Sequence, residues 1–203
     1  MDLRETYNKI AEEWHKDHQD DSWWVEGTEK LISFLPPGAT VLDAGCGGGT
    51  KTKYLAEKGF KVTGIDFAEN LIAIARREAP QAQFVVMNMR DAASLPQSFD
   101  AVFAQASLLH IPKKEISDVL TSLASRLEPS GYFYIAVKGK RPDGPDEEMK
   151  EEHDYGYPYE RFFSYYTLEE LIGHLQKLGL TVVYQDIQKT GKSDWIQLIA
   201  QKH

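Results

Sequence analysis

A glycine-rich segment that follows one acidic residue and precedes another points most directly to chemistry. The segment DAGCGGG (residues 43–49) follows a short apolar stretch, and Asp66 comes 23 residues after Asp43. Glycines let a backbone turn sharply and let a ligand approach without a Cβ in the way. An acid that ends the next strand accepts hydrogen bonds from both ribose hydroxyls of a nucleoside ligand. The pattern therefore predicts a site for an adenosyl compound.

The position of the first acid distinguishes between two classes of adenosyl ligand. Dinucleotide sites follow the pattern G-x-G-x-x-G/A and place a pyrophosphate at the start of the next helix. Counted from Gly45 or from Gly47, the last position of that pattern holds a threonine. Asp43 would repel a pyrophosphate, whereas it would suit the ammonium group of an amino acid. S-adenosylmethionine carries that ammonium with ribose and adenine, so the residues favour it over NAD or NADP.

Composition restricts the other classes of function. The chain has 203 residues, of which 42% are hydrophobic and 27% charged, with 31 acidic against 23 basic residues and a net charge of −8. This acidic balance argues against nucleic-acid binding, and no apolar run is long enough to cross a membrane. The single cysteine, Cys46, excludes an internal disulfide and a multi-cysteine metal site. We expect a cytoplasmic protein with no metal.

Hydrophobic periodicity predicts the elements that must position the glycine segment. Predicted helices cover 3–15, 24–35, 50–58, 68–78, 112–127 and a segment from Thr167 to Gly179. Predicted strands cover 40–42, 60–65, 83–87, 99–104, 132–138, 180–187 and 194–201. The acidic segment 141–154 is predicted to be a solvated loop, because two prolines and a glycine open it.

This alternation is typical of a doubly wound α/β sheet. We predict a Rossmann-like, seven-stranded, mostly parallel sheet with helices on both faces. The last two strands are joined by only six residues, 188–193, so they should form an antiparallel C-terminal hairpin. We expect one domain, with an N-terminal helical cap over 1–38 and an α/β core over 39–203. A ligand should bind at the carboxyl ends of the strands, where loops 43–50, 66–68, 88–92 and 105–111 meet.

Several motifs resemble those of the class I S-adenosylmethionine-dependent methyltransferases. They are VLDAGCGGGT (41–50), VTGIDFAENLI (62–72), QSFDAVFAQASLLHI (97–111) and RLEPSGYFYIAVK (126–138), and YNKIAEEW (7–14) is similar to the N-terminal helix of the small bacterial members. Their order and spacing match the family over nearly the whole chain. The resemblance implies a methyltransferase domain that uses S-adenosylmethionine and releases S-adenosylhomocysteine.

The resemblance also implies roles for individual residues. The expected cofactor-binding residues are Tyr7, Trp14, Asp43, Gly45, Cys46, Gly47, Asp66, Phe67, Asn88, Met89 and Gln105. Asn88 stands where the family usually has an acid that contacts the adenine amino group, so Asp91 is an alternative contact. Arg161, Phe162 and Tyr166 lie in a region that walls the acceptor pocket in this family.

Several of these residues have a second interpretation. Tyr7 and Trp14 either pack the N-terminal helix on the domain or form a lid whose aromatic faces stabilise a sulfonium and exclude water. His110 follows the fourth predicted strand and is the candidate general base, although a lone histidine is often structural. Arg161 either pairs with a carboxylate of the acceptor or forms an ordinary surface salt bridge.

The expected function is in-line transfer of a methyl group to a small-molecule acceptor. Gln105-Ala106-Ser107-Leu108 differs from the Asn/Asp-Pro-Pro-Tyr segment of the nucleic-acid amino-methylating enzymes, which supports a small acceptor. Two alternatives stay open, a nicotinamide-dependent oxidoreductase and a non-enzymatic S-adenosylmethionine-binding protein.

Overall fold

The computed structural model describes residues 2–190 and 193–203. This part of the chain contains seven α-helices and nine β-strands. The helices are α1 (Leu3–Lys9), α2 (Ala11–His18), α3 (Val25–Ile32), α4 (Thr50–Glu57), α5 (Glu69–Glu78), α6 (Ile116–Ala124) and α7 (Leu168–Lys177). The strands are β1 (Thr40–Ala44), β2 (Lys61–Asp66), β3 (Gln83–Val86), β4 (Phe99–Gln105), β5 (Leu127–Lys138), β6 (Glu147–Glu152), β7 (Tyr159–Ser164), β8 (Leu180–Lys189) and β9 (Asp194–Lys202). Two 3₁₀ helices cover Met89–Ser94 and Leu108–His110.

The main sheet has seven strands in the order β3-β2-β1-β4-β5-β9-β8. Strands β1 to β5 pair in parallel, and β9 pairs antiparallel with both β5 and β8. The predicted doubly wound sheet and its antiparallel C-terminal pair are thus confirmed, although residues 191 and 192 of the predicted hairpin link lie outside the described residues. The strand order reverses between β1 and β4, where sheets of this kind open a crevice for a ligand.

Alternate residues of the strands face two apolar layers. On one face, strand residues such as Leu42 and Val102 pack with the buried side of α6 and α7. On the other, Val41 and Phe103 pack with α3 and α4 through Leu31 and Leu55. Helices therefore cover both faces of the sheet, as the alternation predicts. No helix in the described residues is long and apolar enough to span a membrane.

The acidic segment contains a strand that the sequence did not predict. Glu147–Glu152 forms β6 and pairs antiparallel with β7 in a separate two-stranded sheet. Two of its carboxylates are hydrogen-bonded by side chains of β7 or of the residue after it: Glu152 accepts from Arg161, and Glu148 accepts from Tyr165. The prediction of a solvated loop is therefore wrong over β6.

Two predicted helices differ from those observed. The predicted helix 3–15 is interrupted at Ile10, whose backbone leaves helical geometry while its side chain is fully buried. The predicted helix 112–127 covers only α6, because residues 112–115 form a turn closed by the Glu115 amide on the Pro112 carbonyl. At the other end, Leu127 already pairs with Phe99 as the first residue of β5. Thr167 and Glu170 form a capping box at the start of α7, the helix predicted to begin at Thr167.

Candidate functional site

The glycine segment forms the loop between β1 and α4, at the crevice where the strand order reverses. Gly45, Gly47 and Gly49 have φ of 81°, 54° and 85°, which residues with a Cβ rarely adopt. A Cβ on Gly45 would lie 2.4 Å from the Cβ of Ser107, which follows β4. The loop therefore needs glycine both for its turns and for its close approach to the neighbouring strand.

Asp43 is a buried carboxylate at this loop. It is 2% exposed, and its Oδ2 accepts a hydrogen bond of 2.6 Å from the hydroxyl of Thr52. Burial raises the pKa of Asp43 to about 6, against the opposing influence of Thr52 and of the nearby Lys51 ammonium. A further cation at this carboxylate would favour its ionised form, as the ammonium of an amino acid would.

Asp66 ends β2 and ties the glycine loop to the next segment. Its Oδ2 accepts from the amide of Gly47 at 3.0 Å, and its Oδ1 accepts from the amide of Ala68 at 2.9 Å. Burial raises the pKa of Asp66 to about 6, although these two hydrogen bonds favour the carboxylate. Asp66 thus shapes the loop as well as lining the cavity described below.

The N-terminal helices cover the glycine loop. A Cβ on Gly47 would lie 3.1 Å from the ring of Trp14, and one on Gly48 would lie 2.3 Å from Nδ1 of His15. Tyr7 contacts Trp14 edge-to-face, with ring centroids 5.8 Å apart. The same helices contribute Tyr7 and the buried Ile10 to an apolar cluster with α5. They therefore both pack on the domain and close the site.

A hydrogen-bonded chain joins the N-terminal helix to β7 through His110. The Nδ1 of His110 lies 2.7 Å from the carbonyl oxygen of Phe162, which can only accept, so Nδ1 carries the proton. The Nε2 then accepts from the Tyr7 hydroxyl at 2.7 Å, and Arg161 Nη1 donates to the same hydroxyl at 3.4 Å. Burial lowers the pKa of His110 to about 3, so this imidazole is neutral at physiological pH.

Two adjoining cavities lie between these elements. The first has a volume of about 70 Å³ and extends from the glycine loop towards Asp66 and Asn88. The second has a volume of about 190 Å³ and extends from Asp43 towards Arg161 and the end of β5. Because Tyr7, Trp14 and His110 line both, the two cavities form one crevice under the N-terminal helices.

The structure brings most of the predicted site residues to this crevice. Gly47, Asp66, Phe67, Asn88 and Met89 line the first cavity; Asp43, Cys46, Gln105 and Arg161 line the second; Tyr7, Trp14, Gly45 and His110 line both. Phe162 and the alternative adenine contact Asp91 line a neighbouring open groove instead. Tyr166 is not brought to the crevice, since it is 1% exposed in the apolar core beside α7.

Several cavity residues were not singled out from the sequence. Lys51 comes directly after the motif 41–50, at the start of α4, and Lys138 is the last residue of both β5 and the motif 126–138, so both lie at the ligand-binding edge of the sheet. That position is the signal that could have identified them. Trp195 of β9 lines the same cavity and stacks on Trp23, with ring centroids 4.0 Å apart. No local pattern connects these two tryptophans, because 171 positions separate them in the sequence.

The crevice contains buried polar groups without partners, which a bound adenosyl amino acid could satisfy. Both amide atoms of Gln105 are buried in the wall of the second cavity and have no hydrogen-bond partner among the described residues. The same holds for the indole nitrogen of Trp14. Buried polar groups of this kind are costly unless a ligand or water satisfies them. Together with the acids Asp43 and Asp66, they provide polar contacts along the length of the crevice.

Comparison with known proteins agrees with this arrangement. A family model described as a methyltransferase domain matches residues 16–185. The ubiquinone biosynthesis O-methyltransferase of Xanthomonas campestris is 37% identical over 139 residues, which cover 59% of this chain and 57% of that protein. The chain thus matches little more than half the length of that relative.

Two solved structures share the fold over almost the whole chain. The 1,6-didemethyltoxoflavin-N1-methyltransferase of Burkholderia thailandensis, with 1,6-didemethyltoxoflavin and S-adenosylhomocysteine bound, has a TM-score of 0.77 and 23% identity; the match covers 98% of this chain and 87% of that one. The magnesium protoporphyrin IX methyltransferase of Synechocystis, with S-adenosylhomocysteine bound, has a TM-score of 0.77 and 19% identity. That match covers 99% of this chain and 98% of the other. Since the family model matches most of the chain, the resemblance noted in the sequence is confirmed: this chain belongs to the methyltransferase domain family of class I S-adenosylmethionine-dependent methyltransferases.

Proposed function

We propose that this chain transfers the methyl group of S-adenosylmethionine to a small-molecule acceptor. The observation that carries the proposal is the glycine loop at the β1–β4 crevice, with the buried acids Asp43 and Asp66 beside it. The related O-methyltransferase and the neighbouring structures with S-adenosylhomocysteine bound support the same ligand. A nicotinamide-dependent oxidoreductase is disfavoured, because the buried carboxylate of Asp43 would face a pyrophosphate.

The residues of the crevice divide into two groups by the part of the ligand they suit. The first cavity offers Asp66 for the ribose, with Phe67 and Asn88 for the adenine. The second offers Asp43 for the ammonium and Lys51, which lines the same cavity, for the carboxylate of the amino acid. Lys51 and Asp43 attract each other across this site, so they would present opposite charges to a zwitterionic ligand.

When bound, S-adenosylmethionine supplies an electrophilic methyl group on a sulfonium. The chain contributes by orienting both reactants and by excluding water, since in-line displacement depends mainly on alignment. Tyr7 and Trp14 close the crevice over the glycine loop and bring aromatic rings to it. We propose that His110 positions the Tyr7 hydroxyl, because its Nε2 is engaged there and its low pKa makes it a poor proton acceptor.

The acceptor is proposed to be a small molecule. The excess of acidic residues over the chain opposes binding to a phosphate backbone. The acceptor would take the end of the second cavity towards Arg161 and β5, beside the amino acid of the donor; the whole cavity is closed on one side by the N-terminal helices and has a volume of about 190 Å³. A site of this size and enclosure suits a compact molecule better than a polymer segment.

Methyl transfer can be tested without knowing the acceptor. The full chain would be incubated with S-adenosylmethionine carrying a deuterated methyl group and with pools of small metabolites. We expect S-adenosylhomocysteine to accumulate with at least one pool, together with a product that carries the deuterated methyl. The Gly45→Val variant, whose side chain would clash with Ser107, is the inactive control. If the label stays in the donor with every pool while S-adenosylhomocysteine binds, the chain is a non-enzymatic binding protein.

A further inference from the structure

We propose that the methyl acceptor is an aromatic anion, bound in the second cavity by the ammonium of Lys138. This inference rests on the proposed function and specifies the class of acceptor. Lys138 ends β5 and lines the cavity together with Arg161. The cavity is lined by three basic residues, Lys51, Lys138 and Arg161, against the two acids Asp21 and Asp43, so it is locally basic in a chain with a net charge of −8.

Three cations lie over the Phe163 ring, and Lys138 is the one among them without a carboxylate partner in the described residues. Arg161 is held by Glu152 through Nε and Nη2, and Lys150 lies 3.3 Å from Glu148. Among the described residues, no carboxylate lies within 4.0 Å of the Lys138 ammonium, which instead sits 4.2 Å from the centre of the Phe163 ring. Arg161 and Lys150 are therefore each paired with a carboxylate, whereas Lys138 brings an unpaired positive charge to the cavity.

The surroundings of Lys138 make an anion favourable there. Burial lowers its pKa to about 8, and the charges of Arg161 and Lys150 act in the same direction, outweighing those of Glu152 and Glu148. The side chain is still protonated at neutral pH, so it is a partly desolvated ammonium without a matching negative group. A carboxylate or phenolate of the acceptor would supply that group through a charge-assisted hydrogen bond.

Aromatic walls next to Lys138 indicate that the anion is carried on a ring. Lys138 is the register partner of Trp195 across β5 and β9, so the two side chains share one face of the sheet. Trp195 stacks on Trp23 with an angle of 23° between the ring planes, and Phe163 lies on β7, which pairs with β6. All three rings line the cavity, which suits a planar molecule.

The position of Lys138 agrees with a donor bound at the glycine loop. Asp43 is on β1, and β4 separates it from β5 in the sheet. Gln105, whose amide has no partner among the described residues, ends the intervening strand and pairs in register with Ala136. A ring that reaches from Lys138 across Gln105 would bring its reactive atom towards the methionine end of the crevice.

The inference can be tested with matched probes that differ only in charge. 1-Naphthoate and 1-naphthamide would be titrated by ligand-detected NMR into the full chain saturated with S-adenosylhomocysteine. We expect the carboxylate to bind about tenfold more tightly than the amide, which is the usual scale for a hydrogen bond to a charged group. In Lys138→Met this preference should disappear, and in Lys138→Arg most of it should return. Lys30→Met is the matched control, because Lys30 also lies over aromatic rings but lines neither cavity.

The outcomes separate this inference from the proposed function. Saturable binding of S-adenosylhomocysteine with no preference between the two probes overturns the anionic acceptor and leaves the methyltransferase proposal standing. A preference that persists in Lys138→Met also overturns it, since another group would then bind the carboxylate. Failure of S-adenosylhomocysteine itself to bind overturns the proposed function and this inference together. If Lys138→Met does not fold, the wild type can be compared with Lys138→Arg instead. Loss of the preference for the carboxylate in Lys138→Arg would contradict a site that depends on the positive charge at this position.

Discussion

Replacing Asp43 by asparagine should weaken the binding of S-adenosylhomocysteine at pH 7.5 by about tenfold or more, because a buried ammonium would lose its charged partner. The same change should flatten the pH dependence of binding. Asp43 has a pKa of about 6 without ligand, so it takes up a proton as the pH falls through 6 and no longer attracts a cation. Protonation of Asp43 alone should therefore lower the affinity of the wild type by roughly tenfold between pH 7.5 and pH 5, if the ligand returns this pKa to its ordinary value.

Calorimetric titration at several pH values measures both effects. Some pH dependence should remain in Asp43→Asn, since Asp66 has a similarly raised pKa. The matched control is Asp100→Asn, because that carboxylate is also partly buried and hydrogen-bonded, but to Thr40 at the opposite end of the strands. Equal losses in the two variants, or an affinity that rises as the pH falls, would show that Asp43 does not hold the ammonium.

Saturation with S-adenosylhomocysteine should slow tryptic cleavage of the N-terminal helices by as much as about 100-fold. If opening of α1 and α2 destroys the ligand site, a ligand at ~100 times its dissociation constant adds about 2.7 kcal/mol to the free energy of opening. The helices contain Arg4, Lys9 and Lys16, so trypsin reports on this region. Contact of Trp14 with Gly47, and of Tyr7 with His110, is the structural reason to expect this coupling.

Cleavage at Lys177, at the end of α7, is the internal control, because that helix lines neither cavity. Its rate should change little with ligand. A cleavage rate in α1 and α2 that ignores the ligand would mean that these helices only pack on the domain. Deleting residues 1–15 would not separate the two roles, since the deletion would also remove the buried side chain of Ile10 from its cluster with α5.

The main sheet and the glycine loop could be predicted because their signals are local. The predicted strands 40–42 and 60–65 each begin within two residues of a glycine, and the acids Asp43 and Asp66 come directly after them. Right-handed parallel crossovers then leave few ways to arrange the strands. The edge of the sheet at which these residues meet follows from that topology.

What the sequence did not reveal depends on contacts between distant segments. The strand β6 consists of charged residues and one methionine, and it forms because β7 supplies Arg161 and the paired backbone. The stack of Trp23 on Trp195 joins the N-terminal region to β9, the last strand of the chain. The hydrogen bond between the Tyr7 hydroxyl and His110 likewise requires α1 to lie over the segment that follows β4. No periodicity or spacing encodes such pairings.

Tyr166 illustrates the limit of transferring a family region to individual residues. The region before α7 does border the second cavity, through Arg161 and Phe163. Tyr166 lies three residues after Phe163, but its ring enters the core and its hydroxyl lies 3.5 Å from the carbonyl of Ile111. The direction of a side chain at the end of a strand depends on packing that a motif does not specify.

Titration calorimetry of the full chain with S-adenosylhomocysteine and, separately, with NAD tests the central claim most directly. Both ligands contain adenosine, so the experiment isolates the choice between an amino acid and a pyrophosphate at Asp43. We expect saturable binding of one S-adenosylhomocysteine per chain and no saturable heat with NAD under the same conditions. Binding of NAD with equal or higher affinity, or no binding of S-adenosylhomocysteine, would contradict the assignment of this crevice to S-adenosylmethionine.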